Sequence, residues 1–225
     1  MSVGIVLVSH SAKLAEGLAE LAAQMAPDVT ILAAGGLAEG GIGTDYDEVV
    51  AATQRADSGA GVVLLYDLGS AQMTADLAVE SLSDPSAAVV ADAPLVEGAI
   101  AAAVAAQGGA DRQAVAGAAA SAGAPPDLTF DSGAQDGESS VELTLRNDVG
   151  LHARPAAVLV RSVAGLDAEV TVRLGEETAD ANSVLALMAL GARQGDRIEV
   201  RARGTQADEA LAKVKDLVEQ NFGES

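Results

Sequence analysis

The chain has no cysteine, so disulfides and thiol chemistry are excluded, which fits a reducing, cytoplasmic setting. Cations are scarce: 13 Lys and Arg stand against 33 Asp and Glu, a formal charge of −20. That balance argues against nucleic acid and against anionic membrane surfaces as partners. No apolar run approaches the ~18 residues that a membrane span needs. No basic segment precedes an apolar core at the start, so no secretory leader is expected. A Gly-x-x-x-x-Gly-Lys-Ser/Thr loop is missing, so ATP is not expected to bind by that route, and neither a cofactor nor a metal is expected. Histidine is rare as well, with only His10 and His152 in 225 residues.

What is present is an apolar chain, 49% hydrophobic, long enough for two small domains. Residues 1–123 alternate strands and helices. "VGIVLV" (3–8), "VTILAA" (29–34), "GVVLLY" (61–66) and "AAVVA" (87–91) are short continuous apolar runs, as in strands buried on both faces. Leu14, Leu18, Leu21 and Met25 follow a helical period between the first two, and Thr44 with Asp47 forms a capping box for the next helix. Ser70 can cap a third helix, and 93–107 reads as a fourth with Pro94 in its first turn. This predicts an α/β doubly wound parallel sheet, whose ligands sit off the carboxyl ends of the strands, where His10 lies.

From 108 the pattern loosens, with one possible short helix, and 124–138 reads as a flexible Ala, Gly, Pro and acid linker. Residues 139–225 then switch to period two. Val141, Leu143 and Leu145 alternate, as do Val170, Val172 and Leu174, and Ile198 and Val200. Helices interleave on Ala156, Leu159, Val160 and Val163, from Ser183, and from a Thr205–Asp208 box onto Ala207, Leu211, Val214 and Val218. The order β-α-β-β-α-β-α predicts an α+β open-faced sandwich. Charge separates the two parts: 3 basic and 15 acidic side chains lie in 1–123, and 10 basic and 14 acidic in 141–225.

Both histidines stand where a strand or loop hands over to a helix. In "NDVGLHARPAA" (147–157), Pro155 marks a helix start, whose unpaired amides make an anion site beside His152. Arg154 adds a guanidinium with bidentate reach to phosphate. Imidazole, largely neutral near pH 7, can attack phosphorus. On spacing alone, a helix-capping histidine beside an incidental arginine fits equally well.

"GLHARPAA" followed by "NSVLALMALGARQGDRIEV" resembles the phosphocarrier HPr of the bacterial phosphoenolpyruvate phosphotransferase system, over essentially all of 139–225. The resemblance implies that His152 is phosphorylated on Nδ1, with Arg154 assisting. Ser183 falls where some HPr proteins carry a regulatory serine, although a plain helix N-cap is the favoured reading. The apolar helix of Val184, Leu185, Leu187 and Met188 offers one side to the core and the other to partners.

"GIVLVSHSAKLAEGLAELAAQM", "GGIGTDYDEV" and "APLVEGAIAAAVAA" are similar to the mannose-type IIA domain of the DhaM family, the phosphotransfer subunits of dihydroxyacetone kinase, over 1–123. This implies a second phosphorylated residue, His10, on Nε2, with Asp67 in "LLYDLGSA" orienting its ring as a triad acid does. Without the resemblance Asp67 reads as a turn or cap residue. Relatives commonly carry Gly-Thr-Ser where this chain has Gly43-Thr44-Asp45. The family implies a cytoplasmic phosphotransferase relay from enzyme I through His152 and His10 to ADP on the kinase's nucleotide subunit, in a homodimer held through 1–123. Delivery to a IIB component of a mannose-type permease, or a regulatory module governed by phosphorylation, are the alternatives. DhaM relatives often continue into a partial enzyme I domain, and with none of that in these 225 residues, direct phosphorylation by phosphoenolpyruvate is not expected.

Overall fold

The computed structural model describes residues 1–122 and 139–223, so the linker predicted over 124–138 lies outside the described residues. The chain divides into two compact units, Met1–Ala124 and Pro125–Ser225.

In the first unit the order is β1 (Gly4–Ser9), α1 (Ala12–Met25), β2 (Ile31–Gly35), α2 (Tyr46–Ala56), β3 (Val62–Tyr66), α3 (Gly69–Glu80), β4 (Ala88–Val90), α4 (Leu95–Gln107) and α5 (Arg112–Ser121). The strands form one parallel sheet in the order β2-β1-β3-β4, with Ile5 opposite both Ile31 and Val63. β1 is buried throughout, as its unbroken apolar run requires of a strand with helices on both faces. Val6, Val8 and Leu64 pack with Val49, Ala52, Ala75 and Ala78 of α2 and α3, while α1 packs against α4, and α5 against α4. Each fully buried Val, Leu or Ile contributes about 1.5–3 kcal/mol. Because the chain leaves β1 for β2 on one side and reaches β3 on the other, the strand order reverses between β1 and β3.

Several local expectations are corrected. Leu14 and Leu21 are exposed, and the buried face of α1 is Ala15, Leu18, Ala22 and Met25, of which the two alanines let the helix sit close on its neighbours. The cap of α2 is Asp45, whose carboxylate accepts from the amides of Asp47 and Glu48; Thr44 lies one residue too early. Ser70 does not cap α3, since it lies inside the helix and Leu68 is the capping residue.

The second unit runs β5 (Ser139–Thr144), α6 (Ala153–Val163), β6 (Glu169–Leu174), β7 (Glu177–Asp180), α7 (Val184–Ala189), β8 (Arg197–Arg203) and α8 (Ala207–Glu219), in the predicted order. Its antiparallel sheet is β5-β8-β6-β7. Val200 and Val172, opposite each other, turn to the covered face with Leu143 and Ile198, while Glu199 and Arg173 alternate with them and pair. α6 starts at Ala153, two residues before Pro155, which a proline tolerates because the first-turn amides need no intrahelical acceptor. α8 is capped by Gln206, and Thr205 instead donates to Asp167 at 2.6 Å, with Ala210 rather than Leu211 fully buried.

Candidate functional sites

His10 follows the last residue of β1, and Asp67 follows the last residue of β3, so the adjacency of these strands at the reversal point brings together two residues 57 apart. Asp67 Oδ1 faces His10 Nδ1 at 2.8 Å and accepts from the Leu68 amide at 2.8 Å. Its Oδ2 accepts from the His10 amide and from the Ser9 hydroxyl, both at 2.8 Å. Ser9 is itself fully buried, and its oxygen accepts from the Ser11 amide. Burial pushes the Asp67 carboxyl up, but the hydrogen bonds from the His10 backbone, the His10 ring and Ser9 outweigh it and hold the group below the usual carboxylate range. An ionised Asp67 can only accept, so Nδ1 carries the proton and Nε2 keeps its lone pair. Nε2 meets the Ser70 hydroxyl at 2.8 Å, and that hydroxyl is therefore the donor.

The arrangement makes one ring nitrogen nucleophilic and holds it in a fixed direction. α3 has no side-chain cap, so the amides of Gly69 and Ser70 in its first turn have no intrahelical acceptor and are available to an anion. Asp45 caps α2 through its carboxylate, the work that a serine hydroxyl does at other helix starts. Nearby, Tyr66 donates to Asp92 Oδ1 at 2.7 Å; that bond, burial and the negative charges of Asp92 and Asp76 push the phenol up to about 12.

His152 is set up differently. It is the N-cap of α6 and makes no side-chain capping bond. The loop before it is rigid: Gly150 has φ +67, and a Cβ there would lie 2.1 Å from the Ala192 carbonyl oxygen. The Asn147 side chain donates to the Gly150 carbonyl at 2.8 Å, and the Leu151 amide to the Ala192 carbonyl at 2.9 Å. His152 and Arg154 are both exposed, and Arg154 has no ion pair among the described residues; it lines a shallow depression that it shares with Arg146. Ser183 caps α7, accepting from the Ala186 amide at 3.2 Å, while Leu185 and Met188 are half-buried on the outer side of that helix. Sequence reasoning missed Ser9 as a partner of Asp67 and Ser70 as a partner of His10. The two serines that flank His10 in "SHS" are the only signal for Ser9, and for Ser70 there is none.

A family model described as the PTS system fructose IIA component, EIIA-man, matches residues 4–116, half of the chain, and one described as the PTS HPr component phosphorylation site matches 139–220. The phosphocarrier protein NPr of Escherichia coli strain K12 is 48% identical over 88 residues, covering 39% of this chain and 96% of NPr. The chain belongs to the EIIA-man family in its first part and to the HPr family in its second. The EIIA-man part also resembles a solved protein of unknown function, with a TM-score of 0.50, 34% identity, and coverage of 56% of this chain and 98% of that one. Both parts together are similar to the phosphoryl donor subunit DhaM of the phosphoenolpyruvate-dependent dihydroxyacetone kinase of Providencia stuartii, 35% identical over 243 aligned positions. That match takes in 99% of this chain and 51% of the relative, so the chain spans about half the length of the DhaM proteins it matches. Among the described residues, no helix of the EIIA-man or HPr part is long and apolar enough to cross a membrane.

Proposed function

We propose that the chain is a cytoplasmic phosphohistidine relay, with an EIIA-man domain over 1–123 and an HPr domain over 139–225 joined by a tether over 124–138. Enzyme I of the phosphotransferase system phosphorylates His152 on Nδ1, with Arg154 neutralising the phosphoryl oxygens. The phosphorus–nitrogen bond at His152 then breaks as the lone pair of His10 Nε2 forms the new one. The Nδ1 proton stays on His10, held by Asp67, whose negative charge steadies the positive charge that builds on the ring. His10 passes the group to ADP bound on the nucleotide subunit of dihydroxyacetone kinase, which supports formation of dihydroxyacetone phosphate.

The observation that carries this reading is the His10 ring held between Asp67 at Nδ1 and the Ser70 hydroxyl at Nε2, 2.8 Å on each side, which leaves Nε2 as the ring's nucleophilic nitrogen. The recipient rests on the similarity to the DhaM subunits along 99% of this chain. With enzyme I and phosphoenolpyruvate, the chain should take up two acid-labile phosphoryl groups. His152→Ala should block both when no separate HPr is supplied, and His10→Ala should still label His152. Labelling of His10 in the His152→Ala protein by enzyme I alone would overturn the order, and failure of the ADP-loaded kinase subunit to discharge His10 would remove the recipient.

A further inference from the structure

On the side of the ring opposite Asp67, a chain of hydroxyls links Ser70 to the loop that holds the His10 backbone. The loop between β2 and α2 is tied to the backbone around the histidine: the Gly36 amide donates to the Ser9 carbonyl at 3.2 Å and the Gly43 amide to the His10 carbonyl at 2.9 Å. The next residue, Thr44, places its hydroxyl 3.0 Å from that of Thr74, one turn along α3 from Ser70. Thr74 donates to the Ser70 carbonyl at 3.1 Å. A hydroxyl has one proton, so Thr44 is the donor in the Thr44–Thr74 pair. The circuit closes through the Ser70 side chain, which donates to His10 Nε2. It runs from the His10 carbonyl through Gly43, Thr44, Thr74 and Ser70 back to the His10 ring.

α3 begins without a side-chain cap, and its first turn is held by the Ala71 and Gln72 amides on the Leu68 carbonyl and by Asp67 on the Leu68 amide, to which Thr74 adds a tie across to the loop before α2. The Ser70 hydroxyl sits on the nucleophilic lone pair in the unloaded protein and has to leave it as phosphorus arrives. Its proton then bonds a phosphoryl oxygen and no atom is transferred from it. How readily it does so depends on where the first turn of α3 stands relative to the loop pinned on His10. Building on the phosphohistidine reading above, we infer that Thr44 and Thr74 are a positioning strap that fixes Ser70 against His10 Nε2 and thereby sets the rate of phosphoryl transfer through His10. Neither threonine touches the reacting atoms.

The test uses the full chain, charged from enzyme I, with the rate of His10 labelling and the nitrogen NMR shift of His10 Nε2 as readouts. Thr74→Val keeps the volume and removes the hydroxyl; it should slow labelling roughly fivefold, about what one neutral hydrogen bond is worth, and move the Nε2 shift. Thr44→Val should do the same from the other side. Thr74→Ser should restore both readouts, which a loss of side-chain packing would not allow. In a Ser70→Ala background, Thr74→Val should add nothing, because the strap acts only through Ser70. Equal slowing in both backgrounds, wild-type behaviour of Thr74→Val, or failure of Thr74→Ser to rescue would each overturn the strap. If wild type itself never labels His10, the relay reading falls. The strap is then decided by the shift alone, which Thr74→Val must move and Thr74→Ser must not.

Discussion

Replacing Asp67 with Asn exchanges one carboxylate oxygen for a nitrogen and removes one charge at the His10 ring. The carboxylate accepts four hydrogen bonds of 2.8 Å, two on each oxygen. An amide has one oxygen, so its nitrogen must face one of these pairs. Placed at Oδ2 it opposes the His10 amide and leaves the ring tautomer intact, since the Ser9 hydroxyl can turn. Placed at Oδ1 it opposes the Leu68 amide and donates to Nδ1, which forces the ring proton onto Nε2 and removes the nucleophile. Either way one backbone donor loses its acceptor, at a cost of about 1–3 kcal/mol to the first unit.

The kinetic effect should be larger. One placement forms the wrong tautomer, and in both the negative charge that would steady the ring during transfer is gone; an orienting acid of this kind is worth about 10²–10⁴ in rate. The assay mixes labelled His10→Ala protein, which can carry phosphate only on His152, with His152→Ala acceptors that keep or lack Asp67. Transfer is followed by separating the two chains. The same substitution has a signature in acid. The folded carboxyl lies below its unfolded value of ~3.9, so its contribution is present above that pH and lost as pH falls through the folded pKa. Asp67→Asn should flatten that part of the stability curve. A transfer rate within about threefold of wild type, in a protein that melts cooperatively, would refute the orienting role.

Further consequences can be checked separately. In a Tyr46→Phe background the remaining phenol, Tyr66, should ionise at about 12 in an ultraviolet titration, and Asp92→Asn should bring it down. The sign is that of a raised group: its stabilising share persists below the unfolded pKa near ~10 and disappears as pH rises through the folded value. Gly150→Ala should destabilise the second unit by about 1–3 kcal/mol and slow charging of His152, because the left-handed φ and the Ala192 carbonyl both reject a Cβ; an unchanged melt and rate would show that the loop can yield. The chain should sediment as a homodimer through residues 1–123 at micromolar concentration, and a monomer there removes that expectation.

The strands are legible because burial on both faces leaves an unbroken apolar run, as in "VGIVLV", and the second unit because one covered face leaves alternation. Helix faces are harder to read. The leucine period marks one side of α1 as buried, yet Ala15 and Ala22 lie inside and Leu14 and Leu21 outside. In an alanine-rich chain the residue that packs closest has no pattern of its own, since alanine suits either side of a helix. The cap of α2 lies one residue beyond the expected Thr44 because Thr44, Asp45 and Asp47 are all chemically able to cap, and only backbone geometry chooses among them. The histidines stand out through rarity and resemblance. The partnership of His10 with Asp67 depends on β1 lying beside β3, and that with Ser70 on the direction in which α3 leaves the sheet. Both are properties of topology, which hydrophobic period does not encode.

The two histidines are prepared by opposite means, and the difference suits a relay. His10 is gripped at both ring nitrogens and at its backbone amide, so its nucleophilic direction is set before a donor arrives. Fixing a reactant in advance removes orientational entropy from the transfer step. Among the described residues His152 has neither a carboxylate nor a capping bond on its ring, and its backbone is placed by the close-packed loop at Gly150 and the helix behind it. In the proposed relay His152 would take a phosphoryl group from enzyme I and hand it to a different acceptor, and a ring without a side-chain capping bond on a fixed backbone can turn to meet both. Charge adds a direction. In the proposed relay a dianionic phosphoryl group on His152 would lie two residues from Arg154, whereas on His10 it would lie in a segment, 1–123, with 15 acidic and 3 basic side chains. The second position would be the less comfortable one electrostatically, which would favour departure to the next acceptor of that relay over residence.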